Sequence, residues 1–183
     1  MVAEDAETAL DALFARQIID LQSQPREKVI TKWRVAHDVR DAYHRAEISP
    51  ELIQAKADLL VGASIRTVLD FAFVSGRALQ VTQGWSFRRS GMEEVSVQIK
   101  AWAFAIGQLR EKEDARVMTA TGQVSQIMHD VDLEVVAASP STPEQQRAYE
   151  EADQVFKSLS AHVRDLTDVD AVGRKAAELV AIG

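Results

Sequence analysis

Met92, Val95, Ile99, Trp102, Ile106 and Leu109 recur at alternating three- and four-residue steps, the spacing that gathers side chains into one seam along a helix. A helix with such a seam needs apolar partners packed along its length, so the rest of the chain has to supply them. Ser90 followed by Glu93 is a capping-box pair: the serine oxygen accepts an early helical N–H while the glutamate reaches back to the cap. It places the start of the helix just ahead of Met92.

Other stretches read in the same way. Ala6, Leu10, Leu13, Phe14, Ile18 and Leu21 make one stripe over residues 3–22, with Glu4, Asp5 and Glu7 in the first turn, where acids suit the helix dipole. Pro25 ends that helix and opens another through Val29, Trp33, Ala36, Val39 and Tyr43. Residues 52–75 are apolar on more than one face (Leu59, Leu60, Val61, Ile65, Val68, Leu69, Phe71, Phe73, Val74), as a central buried helix is, with a bend or break at Gly62. Val117, Thr121, Val124, Met128, Val131 and Val135 form a further seam, although Gly122 and the β-branched residues weaken it and its second half has the residues of a strand. Thr142 with Gln145 is a second capping box, ahead of Tyr149, Ala152, Phe156, Leu159, Val163 and Leu166. A short helix over 169–181 closes the chain, with Val172, Ala176, Leu179 and Val180 inward. The expected fold is all-α: a helical bundle of about six or seven helices in a single domain over 1–183, with an extended loop or short β-hairpin near 77–91.

The 183 residues carry a net charge of −7, which argues against broad adhesion to nucleic acid or anionic membranes. The total hides a polarity: residues 26–112 hold 14 Lys or Arg against 10 Asp or Glu, and the flanks hold 7 against 18. No cysteine is present, which removes disulfides, thiolate metal sites and cysteine nucleophiles and suits a reducing cytoplasm. The N-terminus shows no secretory leader, and the most apolar run, 65–74, is interrupted by Arg66 and Asp70, so neither export nor a membrane span is expected.

Three histidine-bearing groups carry residues suited to chemistry. His37, Asp41 and His44 stand at i, i+4 and i+7 and can share a helix face, but no fourth donor converges and a solvated polar face explains them. His129, Asp130, Asp132 and Glu134 alternate with Val131, Leu133 and Val135, like the wet side of an amphipathic element. His162 lacks the surroundings of a phosphotransfer histidine. No phosphate-binding glycine loop and no nucleophile elbow occurs, so neither a cofactor nor a metal is expected and an enzyme is the lesser expectation. Residues 49–73 have a faint helix-turn-helix look around Gly62, but Asp58 stands where an alanine is usual.

Arg77, Trp85, Phe87, Arg88 and Arg89 combine positive charge with aromatic rings between glycines, a set suited to a protein partner or a phosphate. The expectation is a non-enzymatic assembly or adaptor protein, cytoplasmic, that forms a homo-oligomer or docks into a larger complex. The alternative is a nucleic-acid-binding regulator that uses the basic middle, 26–112, with Arg66, Arg77, Arg88 and Arg89 on the backbone.

Overall fold

The structure, a computed structural model, describes residues 29–111, 114–119 and 122–182. The stripe expected over 3–22 lies outside them, as does Thr121. The described chain overturns the all-α expectation: it is an α/β fold built on a six-stranded mixed sheet, with four helices among the described residues.

The largest correction is at residues 52–75. They form two antiparallel strands, β1 (Ile53–Val61) and β2 (Ile65–Ser75), paired from Val61 opposite Ile65 to Ile53 opposite Phe73. The reversal uses Gly62, whose φ of 57° is costly for any residue with a Cβ. Over 71–74 both faces of the hairpin are buried, with Phe71 and Phe73 in one core and Ala72 and Val74 in the other, so apolar residues fill both parities. Toward the turn, Leu60 and the exposed Val68 add apolar residues on the open face. Such a run does not separate a buried strand from a buried helix. With strands at these positions, the helix-turn-helix resemblance has no helices to carry it.

Residues 77–86, expected as an extended loop or part of a short β-hairpin, form β3 (Arg77–Ser86), antiparallel to β2. The seam at 117–135 divides into β4 (Ala115–Met118) and β5 (Val124–Ala138). β5 is long enough to serve two partnerships. Its first residues pair antiparallel with β4, and its later ones run parallel to β3, with Gln80 opposite Asp132 and Ser86 opposite Ala138. Since β1 also pairs with β4, the strands β1, β2, β3, β5 and β4 close a ring. β6 (His162–Asp165) adds to the other edge of β5, again parallel.

Parallel neighbours need a crossover, and two of the expected helices supply them. α2 (Met92–Glu111) leads from β3 toward β5, and α3 (Pro143–Ser158) leads from β5 to β6. Met92, Val95, Ile99, Trp102, Ile106 and Leu109 are all buried, so the seam packs inward. Thr142 and Gln145 form the reciprocal cap expected for α3. That helix ends at Ser158, however, and Val163, expected on it, lies on β6.

Two apolar cores result. One joins α2 and α3 to residues of the ring, among them Leu59, Leu69, Trp85, Ile127 and Leu133. The other places α1 (Lys32–Arg45) and α4 (Asp170–Ile182) against Phe71, Phe73, Val136 and Ala138. Both helices fall within segments read as helical, although α1 starts at Lys32, after Val29, and the start expected at Pro25 lies outside the described residues. α1 and α4 touch at Gly173, where a Cβ would stand 2.4 Å from the carbonyl oxygen of Ala42. Among the described residues no helix is long and apolar enough to cross a membrane.

Candidate functional site

Side chains alternate across a strand, so every second residue of β3, β5 and β6 looks toward α1 and α4. At one end of that face the positions are polar: Gln80 and Thr82 on β3, Asp132 and Glu134 on β5, His162 and Arg164 on β6. The register sets them side by side, with Gln80 opposite Asp132, Thr82 opposite Glu134, and Glu134 opposite His162. Tyr43 of α1 meets them from above: its hydroxyl donates to Gln80 Oε1 at 2.8 Å and lies 2.8 Å from Thr82 Oγ1. Gln80 Nε2 in turn donates to Asp132 Oδ2 at 2.9 Å.

Arg164 meets Glu134 with two hydrogen bonds, from Nε to Oε2 at 2.6 Å and from Nη2 to Oε1 at 2.9 Å. His162 Nδ1 lies 3.2 Å from Asp132 Oδ1 and 3.5 Å from Glu134 Oε1. The network runs from core to surface: Tyr43, Gln80 and Glu134 are fully buried, whereas the His162 side chain is 57% exposed. Buried polar groups without partners are costly, and here each buried member has one.

Burial pushes the Tyr43 hydroxyl up, more than its bond with Thr82 and the nearby carboxylates alter it, so the phenol stays a neutral donor. Burial also raises the Glu134 carboxyl, opposed by the hydrogen bonds from Arg164. Asp132 and Glu134 both face His162 at the solvent side, with Arg164 on Glu134 and Arg110 at the groove beside Asp132.

Asp132, Glu134 and His162 each offer one donor atom, and these three atoms lie within 4.8 Å of one another. The remaining oxygen of Asp132 is held by Gln80, and both oxygens of Glu134 are oriented by Arg164. Such outer partners fix first ligands in a metal centre. Two carboxylate oxygens and one imidazole nitrogen suit a divalent ion such as Mn²⁺, Fe²⁺ or Zn²⁺. Three protein donors leave positions for solvent or substrate, the layout of catalytic rather than structural centres. A bound ion there would supply Lewis acidity. A groove lined by Arg110, His129, Asp130, Asp132, Ser160 and His162 opens beside the cluster.

The structure divides the acidic group seen in the sequence. Asp132 and Glu134 join the network, while His129 and Asp130 are exposed at the groove. His162, read alone, meets both carboxylates because β6 pairs with β5. On α1, His37 pairs with Asp41 at 3.6 Å and stacks on Trp33. His44 does not join them: among the described residues only Asp132, Glu134 and His162 converge as three donors.

Of the five residues expected to bind a partner or a phosphate, Arg88 and Arg89 line one groove beside Thr142 and Gln145, and the other three do not join them. Trp85 and Phe87 are buried at 3% and 0% exposure. Their rings meet Trp102 and Tyr149 edge-on, with centroids 6.1 and 5.1 Å apart. Arg77 is exposed at the start of β3, and Arg88 and Arg89 follow its far end, half-buried. Arg89 reaches Glu94 at 3.5 Å, and the Arg88 carbonyl accepts the Ile30 N–H at 3.0 Å.

The sequence signal that reads through to the site is a pair of matched alternations, Asp132-Leu133-Glu134 and His162-Val163-Arg164, each with two polar residues flanking one apolar residue. Compared with protein families, with curated proteins and with solved structures, the chain matches none.

Proposed function

We propose that this protein binds a divalent metal ion through Asp132, Glu134 and His162, with open coordination positions at the adjoining groove. The support is the convergence of the three donor atoms within 4.8 Å, with both carboxylates held in place by Gln80 and Arg164. Isothermal titration of the full chain with Mn²⁺ tests it. One saturable site is expected, lost in Asp132→Asn and in His162→Ala. Absence of saturable heat with Mn²⁺ and with Zn²⁺ overturns the reading.

An assembly role has one separate support. Val97 and Phe104, one heptad apart on the outer side of α2, are 61% and 62% exposed, and exposed apolar pairs on a helix favour association. Light scattering across a concentration series should then show a dimer that Phe104→Ser returns to monomer. A wild-type monomer at all concentrations removes this reading.

A further inference from the structure

A second groove runs between α1 and the β1–β2 hairpin, lined by Trp33, His37, Arg40, Lys56, Asp70 and Phe71. Two of its residues are held in ways that packing alone does not require. Trp33 is 72% exposed, yet its ring is fixed flat on His37, with centroids 5.3 Å apart and planes at 4°. An exposed and oriented indole offers a flat apolar face to another ring. Lys56 has a φ of 52°, a left-handed conformation uncommon for residues other than glycine. The β1–β2 pairing omits Lys56 and Asp70 together, with Ala55 opposite Phe71 and Ala57 opposite Leu69 in one unbroken register, so the strained residue sits at a local gap in the ladder. Strained backbone of this kind concentrates where ligands are held.

The charge in the groove is unbalanced. Asp70 is met from within the fold: Oδ2 accepts the Gly84 N–H at 2.8 Å and Gln83 Nε2 at 3.1 Å, and Lys32 lies 3.7 Å from Oδ1. Arg40, 6.0 Å from the Phe71 ring centroid, and Lys56 form no ion pair among the described residues. The groove therefore presents an aromatic platform flanked by two cations. That pairing fits a ligand with unpaired flat bases on an anionic backbone, because stacking and backbone neutralisation act together on such a chain.

We propose that this groove binds single-stranded nucleic acid, one base stacking on the Trp33 indole while neighbouring phosphates meet Arg40 and Lys56. A duplex keeps its bases stacked on each other and cannot use Trp33. The proposal is independent of the metal site, since the two share no residue.

Fluorescence anisotropy of a labelled twelve-nucleotide oligo-dT, titrated with the full chain at low salt, tests it. Wild type is expected to bind, and Trp33→Ala to weaken binding about 10-fold or more, the usual cost of removing one stacking platform. The double variant Arg40→Ala/Lys56→Ala should flatten the slope of log affinity against log salt by about 1.4, at roughly 0.7 per phosphate contact on a single strand. All three side chains lie at the surface, and circular dichroism verifies that the variants are folded. No binding, equal affinity of Trp33→Ala and wild type, or equal binding of the matching duplex would each overturn the proposal. Competition by thymidine monophosphate as effective as by the oligomer would assign the groove to a free nucleotide, and overturn it too.

Discussion

Arg164 on β6 reaches across to β5 and holds both carboxylate oxygens of the fully buried Glu134, at 2.6 and 2.9 Å. The pair joins the edge strand to the ring by a side-chain link as well as by the backbone ladder. Arg164→Ala leaves the buried carboxylate with only His162, 3.5 Å away at the surface, and breaking one half of such a pair costs about 3–5 kcal/mol. Chemical denaturation should show that loss. Arg164→Lys is expected to restore only part of it, because an ammonium cannot make both planar bonds at once.

The crossing of α1 and α4 makes a second, steric prediction. A methyl group at Gly173 would lie 2.4 Å from the Ala42 carbonyl oxygen and 2.9 Å from the Ala46 Cβ, so the helices must separate. Gly173→Ala should destabilise by about 1–3 kcal/mol, the usual cost of overpacking. Gly107 on α2 is the control: its nearest neighbour would be Leu159 Cδ2 at 3.8 Å, an ordinary contact. Gly107→Ala should be neutral or stabilising by up to about 1 kcal/mol, since alanine is the better helix former. Thermal unfolding of the two variants side by side separates the steric effect from the propensity effect.

The helices legible in the sequence are those whose signals are local. Thr142 and Gln145 make their cap within one turn, and the seam from Met92 to Leu109 has one covered face. The end of β2 was illegible as a strand because Ala72 and Val74 belong to one core and Phe71 and Phe73 to the other, so consecutive residues are apolar and the alternation is erased. The candidate site was half legible. Asp132 and Glu134 alternate visibly, but nothing local ties them to His162, which reaches them only through the parallel pairing of β5 and β6. Tyr43 and Gln80 arrive from still farther along the chain, and Tyr43 read simply as core. Trp33, counted in a helical stripe, lies outside the core altogether.

Asp70 gives a pH prediction. Burial raises its carboxyl above the ordinary value of 3.8, more than Lys32 and the Gly84 N–H lower it. The folded state therefore keeps this proton at a pH where the unfolded chain has released it, so this group's contribution to stability increases as pH falls through the folded value. The gain is complete below the ordinary carboxylate range, and above the folded value the contribution is flat. Asp70→Asn cannot titrate. Urea midpoints for both proteins, measured from pH 7 down to pH 4, should show wild type gaining on the variant toward the acid end.

Metal binding should also register as stability, because the donors come from two strands that the unfolded chain does not hold together. A ligand that binds only the folded state adds about 2.7 kcal/mol when present at 100 times its Kd. For a protein of this size each kcal/mol moves Tm by about 2–4 °C, so Mn²⁺ in that excess should raise Tm by roughly 5–10 °C. Asp132→Asn should abolish the rise while leaving the metal-free Tm close to wild type, because the amide oxygen can still accept from Gln80 Nε2 as Asp132 Oδ2 does. Gln80→Leu is the sharper probe. It leaves all three donors in place but removes the group that orients Asp132, and it leaves the Tyr43 hydroxyl with Thr82 as its remaining hydrogen-bond partner. Metal affinity should fall about 10- to 100-fold, as is usual when an outer partner is lost. An unchanged Mn²⁺ titration in that variant would mean that Asp132 does not need Gln80 to present its free oxygen.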